Sequence, residues 1–281
     1  MELARPGNFV CFPGTRLPWP ARLGYVTLSG GKSNQKVERM ATVPEAKPSH
    51  GAEREDQVRT LFSEIAPRYD LLNHVLSMNI DRGWRRRAIR MLRWQDRDTG
   101  RYLDACAGTF DLSLELTKQA GFRGSVIAAD FALPMLVQGR NKLGPSVTPI
   151  CADTLRLPFA TACFDGATVG FGVRNLSDLR AGFSALARVL RPGARLVILE
   201  FTEPPNRVLR AFYHFYFHHI LPVVGRVVSG HPWAYSYLPE SVKEFPGPVE
   251  LAALLAESGF GSVEWRWVTG GVAAIHVAVR T

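Results

Sequence analysis

Short apolar runs alternate with amphipathic segments through the middle of the chain. Five runs have the length and composition of buried strands. They lie at residues 101–105, 125–130, 148–152, 166–173 and 195–201. Three segments between them, at 112–119, 133–143 and 179–190, have apolar residues at helical spacing. Strands that alternate with helices pair in parallel through right-handed crossovers, so the pattern predicts an α/β fold with a mostly parallel sheet.

The two ends of this region have other patterns. Apolar residues at helical spacing from Val58 to Leu76 predict N-terminal helices. Strand candidates at 262–268 and 273–279 predict an antiparallel hairpin, and the segment 249–257 predicts a helix before it. A mostly parallel, Rossmann-like sheet of seven strands that ends in an antiparallel hairpin resembles class I methyltransferases, which use S-adenosylmethionine.

Residues 1–55 differ from the rest in having many Gly, Pro, Ser and basic residues and no sustained period. We expect a disordered N-terminal extension there and a single domain at 56–281. Alternatively, translation starts at Met40 and the residues before it are not translated. Residues 1–55 lack the apolar core of a secretory signal, and no apolar run in the chain approaches the roughly 20 residues that span a bilayer.

Charge and cysteine content narrow the functional classes. The chain of 281 residues has four cysteines without a CxxC pair, so neither a disulfide scaffold nor a zinc ribbon is indicated. His214 and His218 have helical spacing but no nearby carboxylate completes a metal site, and no metal is expected. A reducing cytoplasm is therefore the expected compartment.

The net charge of +9 is partly concentrated in one predicted helix. Its basic residues are Arg82, Arg85, Arg86, Arg87, Arg90 and Arg93. A solvated helical face and attraction to anionic membrane headgroups are the two interpretations. Nucleic-acid binding is not expected, because no reader motif accompanies the charge.

Acidic residues follow three consecutive strands. Asp104 ends the first, before a turn that contains Gly108, where a helix N-terminus and backbone N–H groups face a ligand. Asp130 ends the next strand and can accept from both ribose hydroxyls of a nucleoside, or cap the following helix. Asp153 follows the third strand, and with the Thr154 backbone it can bind an adenine amino group. The GxGxxG of dinucleotide enzymes is missing. The acid-then-turn order at Asp104 resembles motif I of S-adenosylmethionine enzymes, and this resemblance implies S-adenosylmethionine as the cofactor.

The segment 171–178 reads Phe-Gly-Val-Arg-Asn-Leu-Ser-Asp and resembles the FGxRNxxD signature of the ubiquinone/menaquinone biosynthesis C-methyltransferase family. That family includes demethylmenaquinone methyltransferase and 2-methoxy-6-polyprenyl-1,4-benzoquinol methylase. Further segments are similar from about Asp56 to the C-terminus. They include 65–70, 81–85, 157–159, 188–193, 199–201 and 237–241.

The resemblance implies C-methylation of a polyprenylated quinol ring, in menaquinone biosynthesis by preference or in ubiquinone biosynthesis. It also implies that Thr109, with Asp130, Asp153 and Thr154, binds S-adenosylmethionine. Position 110 is Phe where the family commonly has Gly. A bulky residue there would crowd the cofactor if the position needs positive φ, so a non-catalytic subunit that binds quinone or a biosynthetic complex is the alternative function.

Methyl transfer to a ring carbon needs an electron-rich acceptor, which loss of a phenolic proton provides. Arg174 is our candidate to stabilise the phenolate, with Tyr69 and Asp70 orienting the ring; an ion pair between Arg174 and Asp178 is the structural alternative. The aromatic-rich segment 212–222 is either part of the core or a wall for the prenyl chain.

The substrate also determines the expected location. Lipid quinols reside in the bilayer, so a cytoplasmic enzyme must reach the inner face of the membrane as a peripheral protein. The expected partners are a lipid quinol and the membrane surface, with a homodimer left open.

Overall fold

The computed structural model describes residues 10–11, 52–66, 77, 79–220 and 234–281. The strands are β1 (Val10–Cys11), β2 (Arg101–Ala105), β3 (Ser125–Asp130), β4 (Val147–Cys151), β5 (Phe164–Gly170), β6 (Leu190–Phe201), β7 (Phe260–Val268) and β8 (Ala273–Arg280). The helices are α1 (Ala52–Ile65), α2 (Ile80–Met91), α3 (Asp111–Thr117), α4 (Leu133–Gly139), α5 (Leu179–Val189), α6 (Arg207–Phe215), α7 (Ala234–Glu244) and α8 (Pro248–Glu257).

The strands form one sheet in the order β1-β4-β3-β2-β5-β6-β8-β7. Strands β1 to β6 pair in parallel, and β8 is antiparallel to both β6 and β7. The seven predicted strands and the terminal hairpin are confirmed, and the two-residue β1 adds an eighth strand beside β4. From β2 the chain proceeds to β3 on one side and later to β5 on the other. Such a reversal opens a crevice at the carboxyl ends of β2 and β5.

Some predicted boundaries were wrong. The strand expected through Val173 ends at Gly170, because Phe171 adopts a left-handed φ of 57° that interrupts the extended backbone. A 3₁₀ turn, Val173–Asn175, follows it. The helix expected to reach residue 143 ends at Gly139 and continues as the 3₁₀ turn Arg140–Lys142.

Apolar layers cover both faces of the sheet. One layer contains Ile89 of α2 and Leu116 of α3, packed with strand residues such as Val197. The other contains Phe183 of α5 and Leu255 of α8. Because its central strands are buried on both faces, they read in the sequence as continuous apolar runs. Within the described ranges, no helix has the length and apolarity to cross a membrane.

Candidate cofactor and acceptor site

The turn between β2 and α3 has an alternating left-handed backbone. Positive φ values occur at Cys106 (53°), Gly108 (53°) and Phe110 (75°). The Ala107 N–H donates to the Ala129 carbonyl of β3 at 3.0 Å, which draws the turn across the neighbouring strand. The turn borders a cleft at the carboxyl end of the sheet. Its lining residues are Arg85, Asp104, Cys106, Ala107, Gly108, Thr109, Asp111, Leu112, Gly170 and Phe171.

Asp104 connects three elements beneath this turn. Its carboxylate accepts hydrogen bonds from the backbone N–H and hydroxyl of Ser113 in α3, at 2.9 and 2.6 Å, and from the Thr168 hydroxyl in β5, at 3.0 Å. Burial raises the pKa of Asp104 to about 6, although these hydrogen bonds favour the ionised form. Asp104 therefore borders the cleft while its carboxylate fixes the turn to the sheet.

Asp130 joins the turn to β3 from the other side. Its Oδ2 accepts from the Gly108 N–H and its Oδ1 from the Ala132 N–H, both at 2.8 Å. The Ala132 contact is a turn contact between residues two apart; the next helix has Ala132 itself at its N-cap and no side-chain cap, so the alternative of a capping role for Asp130 was wrong. Burial raises the pKa of Asp130 to about 6, against the stabilising effect of these hydrogen bonds.

Asp153 and Thr154 lie at the end of β4. The Asp153 side chain accepts from the Leu155 N–H at 2.9 Å and caps the 3₁₀ turn Thr154–Arg156. The buried Thr154 hydroxyl lies 3.4 Å from the Cys106 Sγ. The predicted residues at β2, β3 and β4 are therefore brought together, with Cys106 as the link that sequence reasoning missed.

Phe110 has the positive φ that we considered a difficulty, but its ring does not line the cleft. The ring is fully buried and packs on α4, where a Cβ at Gly139 would lie 2.6 Å from the Phe110 Cδ2. Gly139 thus provides the space that a large residue at position 110 needs. Gly108 and the buried Thr109 line the cleft, whereas Asp130, Asp153 and Thr154 are not among its lining residues.

Arg174 lies in the 3₁₀ turn after β5 and is buried. Its guanidinium donates to the Glu200 Oε1 at 2.7 Å and to the Phe171 carbonyl at 2.5 Å. It also lies over the Phe201 ring, 5.6 Å from the centroid. The ion pair considered with Asp178 was wrong, because Asp178 instead caps α5 by accepting from the Ala181 N–H.

Glu200 is the main site residue that the sequence analysis missed. It is the penultimate residue of β6, is 1% exposed, and also accepts from the Arg174 backbone N–H at 3.3 Å. An acid after the apolar run Leu196–Leu199 was the available signal. Nothing in its spacing indicated that its partner would be Arg174, in the turn after the neighbouring strand β5.

The arginines of the basic helix α2 differ in their burial. Arg85 is buried, with ion pairs of 2.5 Å to Asp81 and 3.0 Å to Asp111, and it borders the cleft beside Phe171. The other arginines of the cluster are exposed. Asp81, four residues before Arg85 on one helical face, was the signal for this difference.

Helices α6 and α7 lie near Arg174 and its neighbours. The Tyr237 hydroxyl of α7 donates to the Asn175 Oδ1 at 2.9 Å. In the aromatic segment, Tyr213 and Phe217 are buried whereas Phe212 and Phe215 are exposed, so it is partly core and partly surface. Tyr69 and Asp70 lie outside the described residues, and their suggested role stays a prediction.

The model of the ubiE/COQ5 methyltransferase family matches residues 50–280 of this sequence. The chain belongs to this family. It is 47% identical over 223 residues to a demethylmenaquinone methyltransferase of Thermus thermophilus, which covers 78% of this chain and all of that protein. It is 42% identical over 233 residues to a ubiquinone/menaquinone biosynthesis C-methyltransferase of Geobacter sulfurreducens, covering 81% of this chain and 90% of the relative.

The fold is also found in solved structures. A methyltransferase from Thermotoga maritima superposes with a TM-score of 0.56 at 14% identity and covers 79% of this chain and 99% of its own. Family and fold confirm an S-adenosylmethionine-dependent C-methyltransferase with the class I architecture. The names of the relatives agree with the predicted pathway and do not favour the non-catalytic alternative.

Proposed function

We propose that this enzyme methylates a ring carbon of demethylmenaquinol, with the benzoquinol precursor of ubiquinone as the second acceptor. The observation that carries the proposal is the packing of the Arg174 turn on the β2–α3 turn. No room exists for a side chain on Gly172, because Cys106 lies directly against it. A cofactor on one turn and an acceptor on the other would be neighbours, as methyl transfer requires.

The cofactor would be held by the residues at three strand ends. Backbone groups of Gly108 and Thr109 border the cleft, Asp130 would accept from the ribose, and Asp153 with Thr154 would bind the adenine. When bound, S-adenosylmethionine supplies an electrophilic methyl group. Asp104 contributes through the turn, because its oxygens hold Ser113 and Thr168.

Arg174 would stabilise the phenolate form of the acceptor. A buried guanidinium interacts strongly with a developing negative charge, because little water screens it. Glu200 orients the guanidinium, and the Phe201 ring covers one face of it. Tyr69 and Asp70 complete this part of the proposal as residues that orient the quinol ring.

The remaining expectations concern the surroundings of the enzyme. A lipid acceptor implies peripheral association with the inner face of the membrane, and the exposed arginines of α2 would be attracted to anionic headgroups. Apart from β1, which pairs with β4, and the start of α1, residues 1–55 would form an extension outside the catalytic domain at 56–281. A homodimer is a further prediction that sedimentation velocity would test.

The purified chain tests the function directly. It is incubated with S-adenosylmethionine and, separately, with chemically reduced demethylmenaquinol and 2-methoxy-6-polyprenylbenzoquinol, and the products are weighed by mass spectrometry. We expect a mass gain of one methylene with demethylmenaquinol. Cofactor and quinol binding without a methylated product would instead support a non-catalytic subunit.

Two variants then test the role of Arg174. We expect Arg174→Ala to lose most of its turnover and Arg174→Lys to keep part of it with a changed pH profile. Asp178→Asn is the matched control, since its side chain caps α5 and does not pair with Arg174. Normal turnover and pH dependence in Arg174→Ala would refute the assigned role.

A further inference from the structure

Helix α6 has two different faces. Tyr213 is buried on the inner side, and its ring stacks on Phe217 with centroids 4.2 Å apart. Burial raises the pKa of the Tyr213 hydroxyl, and the charges of Arg174, Glu203 and Glu200 also act on it. The inner side of α6 therefore lies within electrostatic range of Arg174 and Glu200.

The outer side carries large apolar residues in one stripe. Val208 is 66% exposed, Phe212 68% and Phe215 56%, at the spacing that places residues on one face of a helix. Ala211 lies exposed between them. These four residues form what we call the α6 face. Phenyl rings this exposed are uncommon on a surface that contacts only water.

Apart from Tyr213, the titratable residues within helix α6 itself are basic, and Glu203 just before the helix pairs with His214. Helix α6 contains Arg207, Arg210 and His214 and no acidic residue, and Arg207 is exposed at its start. An apolar stripe flanked by arginine is complementary to an anionic lipid surface. By contrast, an acidic partner alone would not require the exposed phenyl rings.

A tryptophan lies beside the start of α6. Gly271 packs between Pro205 and Trp267, so that an added Cβ would lie 3.4 Å from the Trp267 ring. Trp267 is partly exposed, and its ring centroid is 5.0 Å from that of Trp265. Tryptophan next to an apolar stripe is typical of surfaces at the membrane interface.

The α6 face is too small for a stable contact between two copies. Such an interface buries about 800 Å² on each partner. Two phenyl rings and a valine at these exposures offer roughly 300 Å², because a whole aromatic side chain buries about 200 Å². A bilayer has no such threshold, since a helix lying in the headgroup region inserts only about 5–10 Å.

We propose that the α6 face docks this enzyme on an anionic bilayer by inserting Phe212 and Phe215 among the headgroups. The proposal rests on the proposed function, because a polyprenylated acceptor supplies the reason for reaching the bilayer. Docking through α6 brings the membrane to the outer side of the helix whose inner side lies within electrostatic range of Arg174. A prenyl chain could then remain in the lipid while its ring enters the site.

Co-sedimentation of the full chain with vesicles tests the docking face. The vesicles contain equal amounts of phosphatidylcholine and phosphatidylglycerol, and neither acceptor nor cofactor is added. We expect Phe212→Ser with Phe215→Ser to lower the partition coefficient roughly 30-fold, because two partly inserted phenyl groups are lost. Vesicles of phosphatidylcholine alone should bind the parent chain more weakly.

Two control variants separate the α6 face from other surfaces. Val249→Ser removes a valine that is 71% exposed on α8, and we expect it to bind vesicles like the parent. Arg87→Gln with Arg90→Gln changes the basic face of α2, which is the competing membrane contact. We expect its loss of binding to be smaller than that of the α6 double variant.

A second measurement does not depend on the stability of the double variant. In Phe212→Trp, we expect added indole emission that shifts to the blue with vesicles and is quenched by lipids brominated in their tails. Unchanged emission would overturn the proposal, as would a parent chain that binds no vesicles or a double variant that binds normally. It would also fail if the α2 variant alone lost binding, or if the double substitution dissociated a dimer in sedimentation velocity.

The readout distinguishes this proposal from the proposed function. Vesicle binding is measured without methylation, and methylation of a water-soluble, short-chain demethylmenaquinol by the parent chain is measured without vesicles. Binding without methylation would contradict the function alone. Methylation without α6-dependent binding would contradict the docking face alone.

Discussion

The proposed contact between Asp130 and the ribose of the cofactor predicts that cofactor affinity depends on pH, because burial raises the pKa of this carboxyl group. Ribose hydroxyls that donate to a carboxylate favour its ionised form, so S-adenosylmethionine should bind best when Asp130 is deprotonated. Because the pKa is about 6, affinity should be constant above about pH 7 and fall as the pH drops through 6. At pH 5 about a tenth of Asp130 is ionised, and the Kd should be about tenfold higher than at pH 7.

Isothermal titration calorimetry between pH 5 and 7.5 measures this dependence. Asp130→Asn removes the titrating group, so we expect weaker binding at pH 7 and a much flatter profile. Asp104 has a pKa in the same range and is the competing source of a slope. A tenfold loss that persists in Asp130→Asn, or a flat profile in the parent chain, would refute the reasoning about Asp130.

Three stability measurements test the packing around the site. Glu200→Gln should lower the free energy of unfolding by about 3 kcal/mol in urea, because a neutral amide replaces the carboxylate that pairs with the buried Arg174; unchanged stability would contradict the ion pair. Gly139→Ala should lower the free energy of unfolding by about 1–3 kcal/mol, because its Cβ would meet the Phe110 ring, and the variant should melt at a lower temperature. A melting temperature equal to that of the parent would argue against this packing. Tyr213→Phe should raise the unfolding free energy by about 1 kcal/mol, because among the described residues the buried hydroxyl has no hydrogen-bond partner; a destabilised variant would point to a partner for it.

The sequence by itself determined the layers and the position of the cofactor site. The strand and helix patterns are both local properties of the sequence. A continuous apolar run of strand length reflects a strand buried on both faces, and apolar residues at helical spacing reflect a helix buried along one stripe. Asp104 and Asp130 lie at the carboxyl ends of β2 and β3, and Asp153 follows β4; parallel neighbours place these ends at the same edge of the sheet. For this reason, the sequence alone could place the three acids at one edge of the sheet, before any contact between them was known.

Side-chain directions and partners were decided by the tertiary structure. Glu200 meets Arg174 only because β6 pairs with β5, and a sequence separation of 26 residues carries no periodic signal for this contact. Phe110 avoids the cleft because Gly139 on α4 leaves space for its ring. The sequence showed a bulky residue at a turn, while its direction depended on a helix that begins more than 20 residues later.

The same distinction applies to the basic and aromatic segments. Arg85 and Arg87 are the same residue type on one helix. Packing of α2 beside α3 nevertheless buries Arg85 against Asp111 and leaves Arg87 exposed. Likewise Phe212 and Tyr213 are neighbours, but one faces outward and the other lies near Arg174. Local pattern shows that a helix is amphipathic or basic, whereas the elements packed around it decide which face becomes the core, the site or the surface.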